Sequence, residues 1–391
     1  MCIRDSYHSY LNTSVTILTV YKGEEPFAGY IKQFFSANKK YGSKDRKQIS
    51  HLCYCYFRTG KALAELSVED RIIAGLFLCS TEENEMLTFL KQEWGLHTGL
   101  SIEEKFILID SDLTKQDIFP WKEECSEWLS AELFTESFLQ QPDLFLRMRP
   151  GKEKQVKAKL KNAEIDFKTI SNSCIALSNN TKIDAVLETD NEVVIQDYSS
   201  QRVAEFFPMN IDGNIKVVWD CCAASGGKSI LAKDVLGNIQ LTVSDVRENI
   251  LYNLKKRFEA AGINNYKSFI ADLAGPKQAV PAESFDLIIA DVPCSGSGTW
   301  SRTPEQLYYF EPAKIDEYAK LQKAILKNVI NALKPGGYFL YITCSVFKKE
   351  NEHAIDFLQE NFNLKTLKME LLKGYELKAD SMFAALLQKQ L

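Results

Sequence analysis

Two cysteines carry the strongest chemical signal in the chain. Cys294 lies in DVPCSGSGTW and Cys344 in YITCS, and each follows a short β-rich run. A thiolate is a potent nucleophile, and covalent catalysis by cysteine needs little more than a lowered pKa or a nearby base. A lone free cysteine is usually a small buried hydrophobe. Two at the ends of neighbouring strands, one of them in a Pro-Cys-Ser-Gly loop, point instead to one shared cleft. Asp291 opens the first of these segments, and Lys228 stands in GGKS. A cation there either lowers a nearby thiol pKa or orients Asp291; alone, it reads equally as a salt bridge at a helix start.

A second group of residues follows three earlier β-rich runs. The first run ends in Asp220 and leads into CCAASGGKS, whose small residues allow a ligand to approach the backbone at a helix start. This is neither a GxGxxG fingerprint nor a complete phosphate-binding loop. The second run ends in Asp245, placed to hydrogen-bond ribose hydroxyls. The third leads to Asp272, placed to receive a base amine. Either aspartate alone serves as well as a helix cap. Together with the glycine turn they describe a pocket for an adenosine cofactor without a diphosphate, hence S-adenosylmethionine rather than a dinucleotide.

These residues need a scaffold that brings strand ends together. IKVVWD, QLTVSD, YKSFIA, FDLIIAD and GYFLYITC alternate with helical segments such as RENILYNLKKRFEAAG and KIDEYAKLQKAILKNVINALK. That alternation predicts an α/β fold with a mostly parallel sheet, which binds ligands beyond the carboxyl ends of its strands. Upstream, FLRMRP, the basic GKEKQVKAKLKNA, CIALS and EVVIQD read as a small α/β module. From about residue 21 to 140 the apolar spacing is helical, as in DRKQISHLCYCYFRTGKALAEL, and its aromatics read as core. The expected domains are 1–140 helical, 141–207 small α/β and 208–391 α/β. The opening MCIRDSYHSY suggests neither a cap nor a periodic element.

Bulk composition excludes several classes. With 45% hydrophobic and 25% charged residues, the chain is that of a globular protein. No apolar run is long enough for a membrane span, and the first residues lack a secretory pattern. Ten scattered cysteines without paired CxxC, and four histidines, argue against structural zinc and for reduced thiols in the cytoplasm. A net charge of −5 does not advertise nucleic acid. Locally, however, residues 146–170 hold eight basic residues against three acids, which alone suits a solvated helix face equally well.

CCAASGGK, SDVRENIL, ADVPCSGSGTW, KPGGYFLYITCS and the upstream QDYSSQ resemble the RsmB (Fmu/Sun) family of RNA cytosine-5 methyltransferases over about 142–391. YGSKDRKQIS followed by YFRTG is similar to that family's NusB-like helical domain. The resemblance implies a Rossmann-like class I methyltransferase domain, preceded by a small ferredoxin- or RRM-like module and the NusB-like domain. It also implies a monomer acting on RNA, with 16S ribosomal RNA favoured over tRNA and no metal. Carried over by position, Cys344 is the nucleophile that adds to carbon 6 of cytosine, and Cys294 assists elimination. Asp291 contacts the cytosine edge. The cofactor pocket comprises Cys222, Ala223, Ala224, Ser225, Gly226, Gly227, Lys228, Asp245, Asp272 and Asp291. Arg147, Arg149, Lys152, Lys154 and Arg302 are then expected at RNA phosphates. DNA cytosine-5 enzymes use the Pro-Cys thiol as nucleophile, so the assignment of Cys344 rests on the TCS motif. The chain departs from the family at Ser225, where proline is usual, and in the short closing strand around ADSMFAALLQ. Two other readings are a non-catalytic RNA-binding assembly factor, against which the intact cysteine pair speaks, and an amino-group methyltransferase, whose Pro-Pro-aromatic loop is absent.

Overall fold

The computed structural model describes residues 3–208, 215–275, 280 and 284–391. Its contacts divide the chain into two compact units. The first comprises the described residues of Met1–Glu123, together with Ser130–Gln141 and Thr299–Glu311; the second comprises Glu124–Leu129, Pro142–Gly298 and Pro312–Leu391. The units are therefore discontinuous, unlike the contiguous boundaries read from the sequence.

The first unit is helical. Its longest helices are Ile3–Val20, Phe27–Ala37, Ser43–Arg58 and Val68–Cys79. Their starts are set by local side chains: Asp45 accepts the Gly42 N–H at 2.9 Å, and Ser67 accepts the Asp70 N–H at 3.1 Å. Phe27, Phe57, Ile49 and Leu52 are fully buried between them, so the aromatics are core as expected. The helix Ile3–Val20 was not foreseen, yet Tyr10, Leu11, Ser14, Ile17, Leu18 and Tyr21 are buried at helical spacing. The segment Thr299–Glu311 joins this unit because its side chains are satisfied there. Glu305 Oε1 accepts the Phe27 N–H at 3.2 Å, and the Tyr56 and Tyr308 hydroxyls lie 2.9 Å apart.

The second unit contains two sheets. The smaller one is antiparallel and runs over β1 (Leu144–Met148), β2 (Lys168–Thr169), β3 (Cys174–Leu177) and β4 (Val193–Ile195), in the order β2-β3-β1-β4. The basic helix Glu153–Asn162 buries Val156 and Leu160 against it.

The larger sheet has seven strands: β5 (Val217–Asp220), β6 (Gln240–Asp245), β7 (Tyr266–Ile270), β8 (Phe285–Asp291), β9 (Leu333–Thr343), β10 (Leu364–Leu372) and β11 (Met382–Lys389). Their order is β10-β11-β9-β8-β5-β6-β7, with only β11 antiparallel to its neighbours. This is the mostly parallel sheet expected from the alternation, in the Rossmann-like form that the resemblance implied. From β5 the chain builds outward through β6 and β7, then crosses back to place β8 on the other side of β5. The switch point between β5 and β8 opens a crevice at their carboxyl ends. Strand β10 was missed, because LKTLKMELL mixes lysines into an edge strand where one row of side chains meets solvent.

The two sheets of this unit are tied by a buried ion cluster. Arg147 Nη1 meets Asp234 Oδ2 at 2.5 Å, both side chains being 5% exposed, and Arg149 Nη2 meets Asp234 Oδ1 at 2.6 Å. Arg149 also donates to the Ala261 carbonyl at 2.7 Å. Removing one partner of a buried pair strands the remaining charge, at a cost of about 3–5 kcal/mol. Asp234→Ala is therefore expected to destabilise the protein by about that amount in urea titrations; a loss below about 1 kcal/mol contradicts a structural role for the cluster.

Candidate active site

The crevice is built by the loops after β5 and β8, with the loop after β9 beside them. The β5 loop, 221–226, is held from below. Trp219 Nε1 donates to Ser244 Oγ at 3.0 Å, Ser244 Oγ donates to the Cys221 carbonyl at 2.9 Å, and the Ser244 carbonyl accepts the Ala223 N–H at 2.9 Å. Ala224 adopts a left-handed φ of +44°, which costs an L-residue roughly 1–2 kcal/mol. Its N–H is taken by Asp245 Oδ2 at 3.0 Å, which holds the turn. Gly226 follows at φ +85°, and a Cβ there would sit 2.7 Å from the Phe258 ring, so only glycine fits. A Cβ on Gly227 would meet nothing within 4 Å, which leaves open space above the helix start.

Arg257 supports this loop from the side. It donates to the Ser225 carbonyl at 3.1 Å and to Ser225 Oγ at 3.0 Å, while Asp190 grips it through both carboxylate oxygens. The hydroxyl at Ser225 thus has a structural partner that proline at this position would lack.

Lys228 points from the helix start into the crevice and is 8% exposed. Its Nζ donates to Asp291 Oδ2 at 3.0 Å and to Ser200 Oγ at 2.8 Å. Burial opposes its charge, but Asp291 and the neighbouring Cys344 outweigh burial and raise its pKa. Lys228 and Asp291 are thus paired, a contact that the orienting role and the plain salt bridge at a helix start both call for. Ser200, in the QDYSSQ segment, is a contact that the sequence did not single out.

The two thiols do come together. Strands β8 and β9 pair in parallel with Asp291 opposite Ile342, so the loops carrying Cys294 and Cys344 leave the sheet side by side. Cys294 Sγ accepts the Cys344 N–H at 3.2 Å. Hydrogen bonding to Cys294, together with burial, raises the Cys344 thiol pKa well above its ordinary value; Lys228 pulls the other way and loses. The expected lowering of this thiol by Lys228 is thus present but outweighed.

The aspartates expected at a nucleoside differ in their state. Asp245 is 6% exposed, and its carboxylate is taken by Arg247 Nε at 3.0 Å and by the N–H groups of Arg247 and Ala224. Burial opposes its charge, but these donors hold its pKa below the usual range. Arg247 is itself largely exposed, so a pair of ribose hydroxyls can replace it. Asp272 is exposed and accepts the Ala274 N–H at 3.1 Å within a turn; no helix starts there among the described residues, so it is not the helix cap that was one alternative reading. Exposed Val246 and Ile270, at the ends of β6 and β7, offer apolar surface beside these acids; an apolar residue directly after a strand-end acid was the available signal.

The expected phosphate contacts divide. Arg147 and Arg149 are corrected: both are committed to Asp234 inside the unit and are not free to meet phosphate. Lys154 is exposed and Lys152 half-buried on the basic helix segment. Arg302 belongs to the helical unit.

Residues 208–389 match the family model described as 16S rRNA methyltransferase RsmB/F. Over that stretch the chain is similar to the RsmB/F methyltransferase family. A probable ribosomal RNA small subunit methyltransferase B from Synechocystis is 31% identical over 262 residues, which is 64% of this chain and 58% of that protein. The chain thus spans less than two thirds of that relative's length. Among solved structures, PH0851 superimposes with a TM-score of 0.68 at 18% identity, covering 99% of both chains. NSun6 from Pyrococcus horikoshii, solved with SFG, gives 0.56 at 15% identity over 70% of this chain and 96% of its own. At those identities the likeness is one of fold. Within the matched residues, Cys222 to Lys228 form the β5 loop and helix start, and Asp291, Cys294 and Cys344 cluster beside it. Among the described residues no helix is long and apolar enough to cross a membrane.

One buried acid in the matched residues was not singled out by the sequence reading. Asp220, wholly buried, accepts Ser229 Oγ at 2.6 Å through one oxygen, and its other oxygen has no protein partner. Burial raises its pKa from 3.8 to about 7. An acid raised in the fold favours folding most when protonated. Its contribution is full below pH 3.8 and is lost as pH rises to about 7, a swing of about 4 kcal/mol. Asp220→Asn keeps an acceptor for Ser229 and does not titrate. Its Tm advantage over the parent is expected to grow between about pH 4 and about pH 8; an advantage independent of pH contradicts the burial of an ionisable group here.

Proposed function

We propose that this chain is an S-adenosylmethionine-dependent methyltransferase that modifies carbon 5 of a cytosine in RNA, with 16S ribosomal RNA as substrate and Cys344 as nucleophile. The observation that carries this reading is the joining of the Cys294 and Cys344 thiols beside the Lys228–Asp291 pair. The family model's description as a 16S rRNA methyltransferase supports the choice of RNA. All nine described cysteines are free, which suits a reducing cytoplasm.

The cofactor would be held by 222–228, with Asp245 at the ribose and Asp272 at the base edge. The open space at Gly227, the left-handed turn and the recessed Asp245 carboxylate suit a nucleoside without a diphosphate. When bound, S-adenosylmethionine supplies an electrophilic methyl group on a sulfonium.

Carbon 5 of cytosine is too poor a nucleophile to attack such a methyl unaided. Cys344 sulfur, after losing its proton, bonds to carbon 6 and turns the ring into an enamine that is nucleophilic at carbon 5. Asp291, held by Lys228, meets the cytosine edge and stabilises the adduct. After transfer the carbon 5 proton is removed, the carbon–sulfur bond breaks and aromaticity returns, with Cys294 assisting this elimination. Target bases must leave a stack or lie in a loop to reach such a crevice. Lys152, Lys154 and, on the helical unit, Arg302 are the proposed phosphate contacts.

Methyl transfer from radiolabelled cofactor to unmodified small-subunit RNA is expected to vanish in Cys344→Ala; residual turnover near the parent rate contradicts its role as nucleophile. Cys294→Ala is expected to accumulate a protein–RNA species that survives denaturing electrophoresis. Normal turnover without that species contradicts a role in product release.

A further inference from the structure

Glu350 is wholly buried, and its neutral partners come from both cysteine-bearing loops. Its Oε2 accepts the N–H of Ser295, the residue after Cys294, at 2.8 Å. Its Oε1 accepts the hydroxyl of Ser345, the residue after Cys344, at 2.8 Å. Gln322, also buried, donates to Glu350 Oε2 at 3.3 Å and to the carbonyl of Pro293, the residue before Cys294, at 3.0 Å. Ser295 Oγ and Ser345 Oγ lie 3.2 Å apart, and Ser297 Oγ accepts the Val346 N–H at 2.9 Å. The backbone of Glu350 is fixed in turn, because Tyr341 donates to its carbonyl at 2.6 Å.

Strand pairing ends at Asp291 and Ile342. Beyond it the Val292 N–H donates to the Ile342 carbonyl at 3.1 Å and the Gly298 N–H to the Cys344 carbonyl at 2.8 Å, and side-chain bonds add further ties between the two loops. We propose that Glu350, with Gln322 bracing it, is the positioning residue that holds Cys294 and Cys344 at their working separation. One carboxylate grips the residue after each cysteine, so a shift of either loop breaks one of its bonds and leaves a buried group unsatisfied. Both acceptor oxygens are needed. A glutamine offers one oxygen and an NH2 group, and the NH2 group faces either the Ser295 N–H or the Ser345 hydroxyl without accepting from it. Burial raises the Glu350 pKa.

The test is made on the full chain with Glu350→Gln and Ser345→Ala. Peptide mass spectrometry follows iodoacetamide modification of Cys344 at about pH 8, without RNA or methyl donor. In the parent, Cys344 lies partly buried with its backbone N–H donated to Cys294 Sγ, and slow modification is expected. Separating the loops is expected to speed its modification about tenfold in Glu350→Gln and less in Ser345→Ala. Buried Cys221, in the same unit, must stay unmodified; it reports an intact fold. If Glu350→Gln exposes Cys221, Ser345→Ala decides the matter. Where methyl transfer is measurable, kcat should fall by about ten- to hundredfold while KM for S-adenosylmethionine is unchanged, since the β5 loop is untouched. Parent-like Cys344 modification in the folded variant overturns the proposal. The kinetic arm rests on the methyltransferase reading. The modification arm does not, so an inactive parent protein would sink that reading and still leave the positioning role tested.

Discussion

Parallel pairing between β8 and β9 is the constraint from which the rest of the site follows. Parallel neighbours leave a sheet at the same edge, and with Asp291 opposite Ile342 the next residues on both strands enter one crevice. Placing β5 on the other side of β8 adds the loop with Lys228 to that edge. A slip of one residue in either pairing would turn the strand-end side chains to the other face of the sheet. Val218, Leu287, Ile289, Leu340 and Ile342, buried in one core cluster, make such a slip costly.

Electrostatics within the crevice is a contest among desolvated groups, and its winners differ by position. At Lys228 the nearby carboxylate and thiol outweigh burial, so the cation persists. At Asp220, with one hydroxyl donor, burial wins. At Cys344, hydrogen bonding to Cys294 and burial outweigh Lys228 and raise the thiol pKa.

Much of this was legible in the sequence, and the failures share a cause. The strands were visible through their alternation with helices, and the site residues through their places at strand ends. Arg147 and Arg149 misled because a linear charge count cannot see Asp234, which neutralises them after a long excursion of the chain. The Thr299–Glu311 segment was assigned to the wrong unit for the same reason, since Tyr308 and Glu305 find their partners among early helices. Asp272 lies exposed in a turn that its carboxylate helps close, an environment that the residue type alone does not specify. Glu350 carried no signal, because an acid in a polar stretch gives no hint that it will be buried. The helix Ile3–Val20 was legible in its spacing and was overlooked.

The central claim is that Cys344, and not Cys294, attacks a cytosine ring in this crevice. It is tested most directly with RNA carrying 5-fluorocytidine, in which carbon 5 has no proton to lose and elimination cannot complete. Incubation with S-adenosylmethionine, digestion and peptide mass spectrometry locate the modified side chain. A stable adduct on Cys344 is the predicted result. An adduct on Cys294, or none under conditions where ordinary RNA is methylated, would contradict the account.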